Sequence, residues 1–524
     1  MNPRLGAVAP AAKTALLMGG SGLRWTFAEL QQRIDEAAAM LAGYGLRFGD
    51  HIAVLFANEP ELFPVVWAAQ RTGLYYSPVN WHLTPGEAAY IVADCGAAVL
   101  VASPAHRTLT EQICAAVPAV IPVLAGAGPA TGAAARIAAG AAGRTDGGLP
   151  QRWEGFAMFY SSGTTGRPKG ILRDPVRTPV GTTGPIDQLM RQLYGLGPDS
   201  VYLSTGPLYH AAPLGWSMAT QRAGGTTVAM ERFDARQTLE LIERHRVTHV
   251  QFVPTMMKRL MRLPPEDRRR FDLSSLQTVV HAAAPCPVEL KRQIIDWFGP
   301  VVWEYYAGSE GNGYFAIDSA DWLAHPGSVG RSMYGQAHVL GDDGTELPPG
   351  GIGTVWFEGT AAFAYHHDAE KTAGAFNDQG WSTLGDVGRL DADGYLYLSD
   401  RRVDLIISGG VNIYPQEVEN VLTMHPAVFD AAVVGVPDQD MGQRVVAVVQ
   451  AEAGVAADSR LAEQLLGHCR DHLAGFKCPR ELVFAAELPR LPSGKLLRRW
   501  VRDWLGPDPA SPDPASPGPA SSRP

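Results

Sequence analysis

At 524 residues the chain is too long for one ordinary hydrophobic core, so its length asks for two or more domains. With 46% apolar and 19% charged residues it has the balance of a soluble globular protein. The formal net charge of −9 comes without a concentrated basic run, which argues against a nucleic-acid partner, because phosphate binding needs a positive face.

In chain order, the first twenty residues carry Arg4 and Lys13 but are broken by Pro3 and Pro10, so they lack the continuous apolar core of a signal peptide. Thr26 with Glu29 forms a capping box, followed by Leu30, Ile34, Ala38 and Leu41 at helical spacing. Ile52–Ala57 is a short apolar run bounded by Gly49-Asp50 and Asn58-Glu59-Pro60, which suits a buried strand. Thr84-Pro85-Gly86-Glu87 is a second capping box, with proline at the first helical position, and Ala97–Ala102 reads as the next strand. Such alternation implies parallel sheets covered by helices, an α/β fold.

The Ala/Gly-rich stretch from Cys114 to Gly143 contains prolines and Arg136 and is poor in Leu, Ile and Phe, so no transmembrane segment is expected there. Ala125 to Gly148 reads as a surface connection. The cysteines (Cys95, Cys114, Cys286, Cys469 and Cys478) are odd in number and scattered, which fits reduced thiols and a cytoplasmic location. Composition shifts around Gly380–Arg402. Beyond it Pro415–Leu422 and Arg460–Leu473 read as helices, and Ala431–Val436 and Val445–Val449 as strands, together a small α+β domain. The expected division is a large domain over 1–400, a small mobile domain over 401–505 and a tail over 506–524. The tail repeats Pro-Asp-Pro-Ala-Ser, cannot bury a core and is expected to be disordered.

The segment Tyr160-Ser161-Ser162-Gly163-Thr164-Thr165-Gly166-Arg167-Pro168-Lys169-Gly170 carries the strongest chemistry. Its glycines let backbone approach phosphate oxygens, and its hydroxyls and Lys169 supply donors for negative charge. Pro168 separates Gly166 from Lys169, so this is not the Gly-x-x-x-x-Gly-Lys-Ser/Thr loop. The segment resembles the signature loop of the AMP-binding superfamily, which includes acyl-CoA synthetases, peptide-synthetase adenylation domains and firefly-type luciferases. Further motifs follow in that family's order, so the resemblance extends to Leu505.

The resemblance implies ATP binding by Ser162, Gly163, Thr164, Thr165, Gly166 and Lys169. In Pro207-Leu208-Tyr209-His210 it puts His210 at the mouth of the acyl pocket, a histidine that alone would read as an ordinary loop residue. The small-residue turn His281-Ala282-Ala283-Ala284-Pro285 implies a contact of Ala284 with adenine. In Tyr305-Tyr306-Ala307-Gly308-Ser309-Glu310 an aromatic ring can stack on a base and one carboxylate can hold Mg²⁺ that bridges phosphates. The resemblance gives Tyr306 the stacking role, Ser309 a nucleotide contact and Glu310 the metal. Ala307 stands where glycine is usual.

In Trp381–Asp386 the carboxylate of Asp386 matches a ribose diol. Asp400-Arg401-Arg402-Val403-Asp404 resembles the boundary between the large and small domains, with Arg401 on the nucleotide and Val403 where Asp or Lys is usual at the hinge. Ser408, Gly409 and Gly410, with Lys477 of Phe476-Lys477-Cys478-Pro479, fall where the family meets coenzyme A. Lys495 in Pro492-Ser493-Gly494-Lys495 matches the adenylation lysine.

The implied activity is ATP- and Mg²⁺-dependent ligation of a carboxylic acid to coenzyme A through an acyl-adenylate. Glu310, Arg401, His210 and Lys495 are the catalytic candidates. Gly215, Ala307 and Gly308 are small and fall with His210 near the acyl pocket, so a long-chain or polycyclic apolar acid is the expected substrate. An aryl acid and a separate carrier protein as acyl acceptor stay open.

Overall fold

The computed structural model describes residues 9–125, 152–161, 168–173, 176–182, 184–401, 404–409, 411–438, 440–490 and 496–505, with backbone alone at 161, 185–186 and 400–401. The chain divides into two compact units. One comprises Met1–Phe252, Arg262–Val280 and Ala361–Gly374; the other comprises Val253–Met261, His281–Thr360 and Ala375–Pro524.

In the first unit a parallel sheet runs Ile121–Leu124, Val99–Ala102, His51–Leu55, Tyr75–Pro78, Phe156–Ala157. Successive side chains of a strand point to opposite faces, and both faces here are covered. Ile52 and Val54 enter a core with Leu30, Ile34 and Leu41 of the helix Phe27–Ala42. Ala53 and Leu55 enter another with Ala88, Ile91 and Val92 of the helix Pro85–Asp94. That is why the strand reads as an uninterrupted apolar run. Both expected capping boxes form, Thr26 with Glu29 and Thr84 with Glu87.

A second sheet of this unit orders Arg24–Thr26, Thr14–Met18, Thr226–Ala229, Val201–Ser204 and His249–Phe252, parallel but for its first pair. A third, antiparallel, joins Ala364–Tyr365, Lys169–Leu172 and Tyr160–Ser161.

In the second unit Val302–Ala307 pairs antiparallel with Tyr314–Ile317, and that strand with Arg331–Tyr334. A four-stranded antiparallel sheet follows: Gln336–Leu340, Gly353–Glu358, Ser382–Leu390, Leu396–Arg401. The small C-terminal α+β portion is built on Val428–Asp438 antiparallel to Gly442–Ala451, with Glu481–Phe484 added in parallel. Ala431, Val433, Val445 and Ala447 pack on Val418 and Leu422 of the helix Pro415–Met424. The alternate residues Ala432, Val434, Val446 and Val448 pack on Val501 and Leu505 of the helix Arg498–Leu505.

The expected elements here are present: one helix reaches Met424, the strands extend to Val428–Asp438 and Gly442–Ala451, and the second helix spans Ser459–His472. The expected surface connection falls almost wholly, and the expected tail entirely, outside the described residues. All five cysteines are free thiols. Among the described residues no helix is long and apolar enough to cross a membrane.

Candidate active site

Ser162, Gly163, Thr164, Thr165 and Gly166 lie outside the described residues, but the strands on either side of them are defined. Tyr160 pairs with Gly170, and Ser161 with Lys169. A Cβ on Gly170 would clash with Cε of Met158 and stand 3.0 Å from Cζ of Tyr160, so glycine here makes room for both side chains. The Tyr160 hydroxyl donates to Oδ2 of Asp94 at 2.7 Å. Lys169 Nζ donates to Oδ2 of Asp368 at 2.6 Å, and that bond holds the Asp368 carboxyl below the usual carboxylate range. The lysine expected to meet phosphate thus has an internal carboxylate partner.

His210 precedes the helix Ala211–Arg222 as its N-cap, with extended backbone and no side-chain capping bond. The turn before it is pinned by a residue the sequence did not single out. The buried Asn58 amide donates to the carbonyls of Gly206 (3.0 Å) and Met230 (2.8 Å), and its oxygen accepts from the N–H of Leu208 (2.8 Å). His210 Nε2 and the Tyr209 hydroxyl are buried and find no hydrogen-bond partner among the described residues. Burial pushes the His210 pKa down to about 4, so the imidazole is neutral near pH 7 and does not supply a positive charge to a carboxylate. Gly215, one turn on, is exposed, and among the described residues no atom beyond its own helix backbone and chain neighbours lies within 4 Å of where its Cβ would be.

In the second unit the strand Val302–Ala307 delivers Tyr306 and the strand Ser382–Leu390 delivers Asp386. The Tyr306 hydroxyl donates to Oδ2 of Asp386, and the ring rests near Phe315 and Phe357. Asp386 faces Arg401 in the register of the next strand; the Arg401 side chain lies outside the described residues. Glu310 is buried. A Cβ on Gly308 would meet Leu384 Cδ1 at 2.7 Å and Glu310 Oε2 at 3.0 Å, so this glycine packs against the carboxylate expected to bind metal. Ala307 and Ser309 are exposed. Asn312, 1% exposed, has neither its amide nitrogen nor its oxygen bonded within the described residues, two positions beyond Glu310. Buried polar atoms of that kind, two residues along the chain from a carboxylate, fit a polar ligand such as a nucleotide with its Mg²⁺.

Ala284 follows Ala283, whose backbone is left-handed at φ +74. Below this turn His281 and Lys291 are wholly buried and Glu304 nearly so. Lys291 Nζ donates to Glu304 at 2.6 Å, and His281 Nε2 lies 3.5 Å from the same oxygen. Burial raises the Glu304 pKa and Lys291 opposes it.

In the C-terminal portion Ser408 is buried and Gly409 has φ +57. Lys477 Nζ is held by both oxygens of Glu417 at 2.7 and 2.8 Å. Gly410 and Lys495 lie outside the described residues. Each unit therefore gathers part of the expected set: Lys169, His210 and Gly215 in the first, Tyr306, Glu310, Asp386 and the Arg401 backbone in the second.

A family model described as AMP-binding enzyme matches residues 6–365, and one described as AMP-binding enzyme C-terminal domain matches 417–495. A feruloyl-CoA synthase of an Amycolatopsis species is 34% identical over 500 residues, covering 94% of this chain and 96% of that one. An indoleacetate–CoA ligase of Aromatoleum aromaticum is 32% identical over 91% of this chain and 92% of its own. Among solved structures, the amide bond synthetase McbA of Marinactinospora thermotolerans superposes with a TM-score of 0.80 at 30% identity, covering 96% of this chain and 98% of that one. The chain belongs to the AMP-binding enzyme family, as an adenylate-forming enzyme of the acyl-CoA synthetase type.

Proposed function

We propose that the protein activates a large, mainly apolar carboxylic acid as its adenylate and passes the acyl group to coenzyme A. Ligases of this type work with ATP, Mg²⁺ and coenzyme A. The observation that carries the reading is the joining of Tyr306 to Asp386 in the unit that also buries Glu310. A ring beside a carboxylate is the pair needed to hold a base and a ribose diol.

In this reading Tyr306 and Ala284 take adenine, Asp386 and Arg401 the ribose and its phosphate, and Ser309 with Ser162–Gly166 and Lys169 the remaining phosphates. Glu310 would hold Mg²⁺, which would supply charge to screen the phosphate oxygens. The carboxylate of the acid is already ionised at neutral pH, so the chemistry asks for positioning and charge neutralisation rather than a base. Lys495 supplies that charge between carboxylate and α-phosphate. Residues 1–400 act as the large domain, and 401–505 as the small one that turns near Arg401–Val403. The turn exchanges Lys495 for Ser408, Gly409, Gly410 and Lys477 at the thiol-acceptor stage.

The acyl side is His210, Gly215, Ala307 and Gly308. The open space at Gly215 and the neutral His210 support an apolar acid. An aryl acid is the form favoured by relatives named for feruloyl and indoleacetate substrates.

The test is pyrophosphate release from a panel of aryl, long-chain and polycyclic acids, with coenzyme A, carrier-bound pantetheine and a simple amine as separate acceptors. Lys495→Ala should lose adenylation by about a hundredfold or more while still converting supplied acyl-adenylate to thioester. If both half-reactions fall together in that variant, the two-stage assignment is wrong. If an amine or a carrier outcompetes coenzyme A, the acceptor assignment is wrong.

A further inference from the structure

Outside the residues assigned above, one cluster in the first unit has the composition of a metal site. One oxygen of Asp94 and one ring nitrogen from each of His366 and His367 lie within 4.8 Å of one another. Two parts of the fold converge to put them there. Asp94 is the last residue of the helix Pro85–Asp94, and its side chain is 11% exposed. His366 is fixed by its backbone N–H to the carbonyl of Gly170 at 2.9 Å, directly after the strand Ala364–Tyr365. His367 takes a left-handed backbone, φ +53, which is uncommon for a residue with a side chain. Neighbouring residues of an extended chain point to opposite sides, yet here the two imidazoles lie 3.8 Å apart between ring centres. The strained backbone is what brings them to one side, with His367 Nδ1 3.6 Å from Asp94 Oδ1.

We propose that Asp94, His366 and His367 bind a divalent transition-metal ion of the zinc class, separate from the Mg²⁺ assigned to Glu310. Two imidazoles and a carboxylate with a place left for water form a donor set that suits zinc or cobalt and does not suit Mg²⁺, which takes oxygen ligands. Bonds of about 2.0–2.1 Å to nitrogen require the ligand atoms to draw closer than they stand. The exposed His367 side chain has the freedom to swing inward.

The outer shell is present too. The Tyr160 hydroxyl donates to the second oxygen of Asp94, orienting the carboxylate, and the His366 ring lies near His51, 6.2 Å between centres. The residue after His367 is Asp368, the carboxylate that holds Lys169. A metal ion here would fasten the connection carrying Asp368, and so fix the lysine next to the glycine-rich segment.

The probe is Co²⁺ alone, titrated into the full-length protein in buffer with excess Mg²⁺ and followed by its visible absorption and by melting temperature. Wild type should take up one tightly held equivalent that excess Mg²⁺ does not displace and should melt higher with it. H366Q/H367Q should bind at least a hundredfold more weakly and show no rise in melting temperature. Tyr160→Phe, which removes only the orienting hydroxyl, should weaken binding by about tenfold. Asp94→Asn serves as the second ligand variant should the double substitution fail to fold, and it too should lose the spectrum. Unchanged uptake in folded H366Q/H367Q or Asp94→Asn would overturn the assignment, as would a wild-type protein that takes up no Co²⁺.

Discussion

The phenol of Tyr306, on the strand Val302–Ala307, donates its hydrogen to the carboxylate of Asp386, on the strand Ser382–Leu390 of a different sheet. Without a nucleotide, each residue thereby satisfies the polar group of the other. Asp386→Ala should raise KM for ATP by about tenfold to a hundredfold, the value of one or two hydrogen bonds to a charged group. Tyr306→Phe keeps the ring and should cost less. Initial rates at varied ATP and varied acid decide it; a rise in the KM of the acid alone would show that Asp386 does not hold the ribose.

Asn58 is expected to matter to the acid and not to the nucleotide. Its amide makes three bonds that fix the turn before His210. Asn58→Ala leaves two carbonyls and one N–H buried without partners, at about 2–3 kcal/mol of stability, and lets the turn drift. KM for the acid should rise several-fold with KM for ATP unchanged. Asn58→Asp should fare no better, because it sets an acceptor against two carbonyls. Denaturant unfolding and paired KM measurements check both; an equal change in the two KM values would remove the positioning role.

Acid should destabilise the protein through its buried histidines. His210 and His51 both have pKa values near 4 through burial, well below the ordinary imidazole value. A depressed folded pKa gives stability that is fully present above the unfolded value, near pH 6.5, and is lost as pH falls towards 4. Between pH 7 and pH 5 the wild type should therefore lose about 1–2 kcal/mol more than His210→Asn does. Urea unfolding at the two pH values measures this. Parallel losses in both proteins would show that His210 is not buried as a neutral ring.

The Lys291–Glu304 pair gives a sharper stability test. Lys291→Met leaves the Glu304 carboxyl buried with no cation, and breaking such a pair from one side costs about 3–5 kcal/mol. Removing both charges, in Lys291→Met with Glu304→Leu, should recover most of that loss. The turn proposed to take adenine begins at His281, which lies 3.5 Å from the same carboxylate, so KM for ATP should follow the single variant more than the double. Melting curves for the three proteins are the measurement. A single variant as stable as wild type would mean the pair is not desolvated in solution.

Local signals were legible and distant ones were not. The capping boxes at Thr26 and Thr84 need only residues three apart, and both form as read. The apolar run at Ile52 was readable because a strand covered on both faces has no polar alternation to obscure it. The strand Glu481–Phe484 gave no such signal, since all four of its residues are only half-buried. Asn58 escaped notice because its partners lie 148 to 172 residues away, and Asp368 because Lys169 is 199 residues away. Nothing near either residue marks it. Tyr306 and Asp386 could be paired in advance only through the family resemblance, being 80 residues apart.

The ladder that joins Ser382–Leu390 to Leu396–Arg401 ends at the pair Asp386–Arg401, and the next strand begins at Ile406. Twisting the backbone on the near side of Arg401 would unzip the strip that carries Asp386, so strain arising there is transmitted straight to whatever that carboxylate grips. A bound ribose and a pivot set beyond Arg401 would be two ends of one lever: tightening the grip would stiffen the pivot, and letting the nucleotide go would free it. The proposed exchange of Lys495 for the thiol-side residues would then be timed by the occupancy of Asp386.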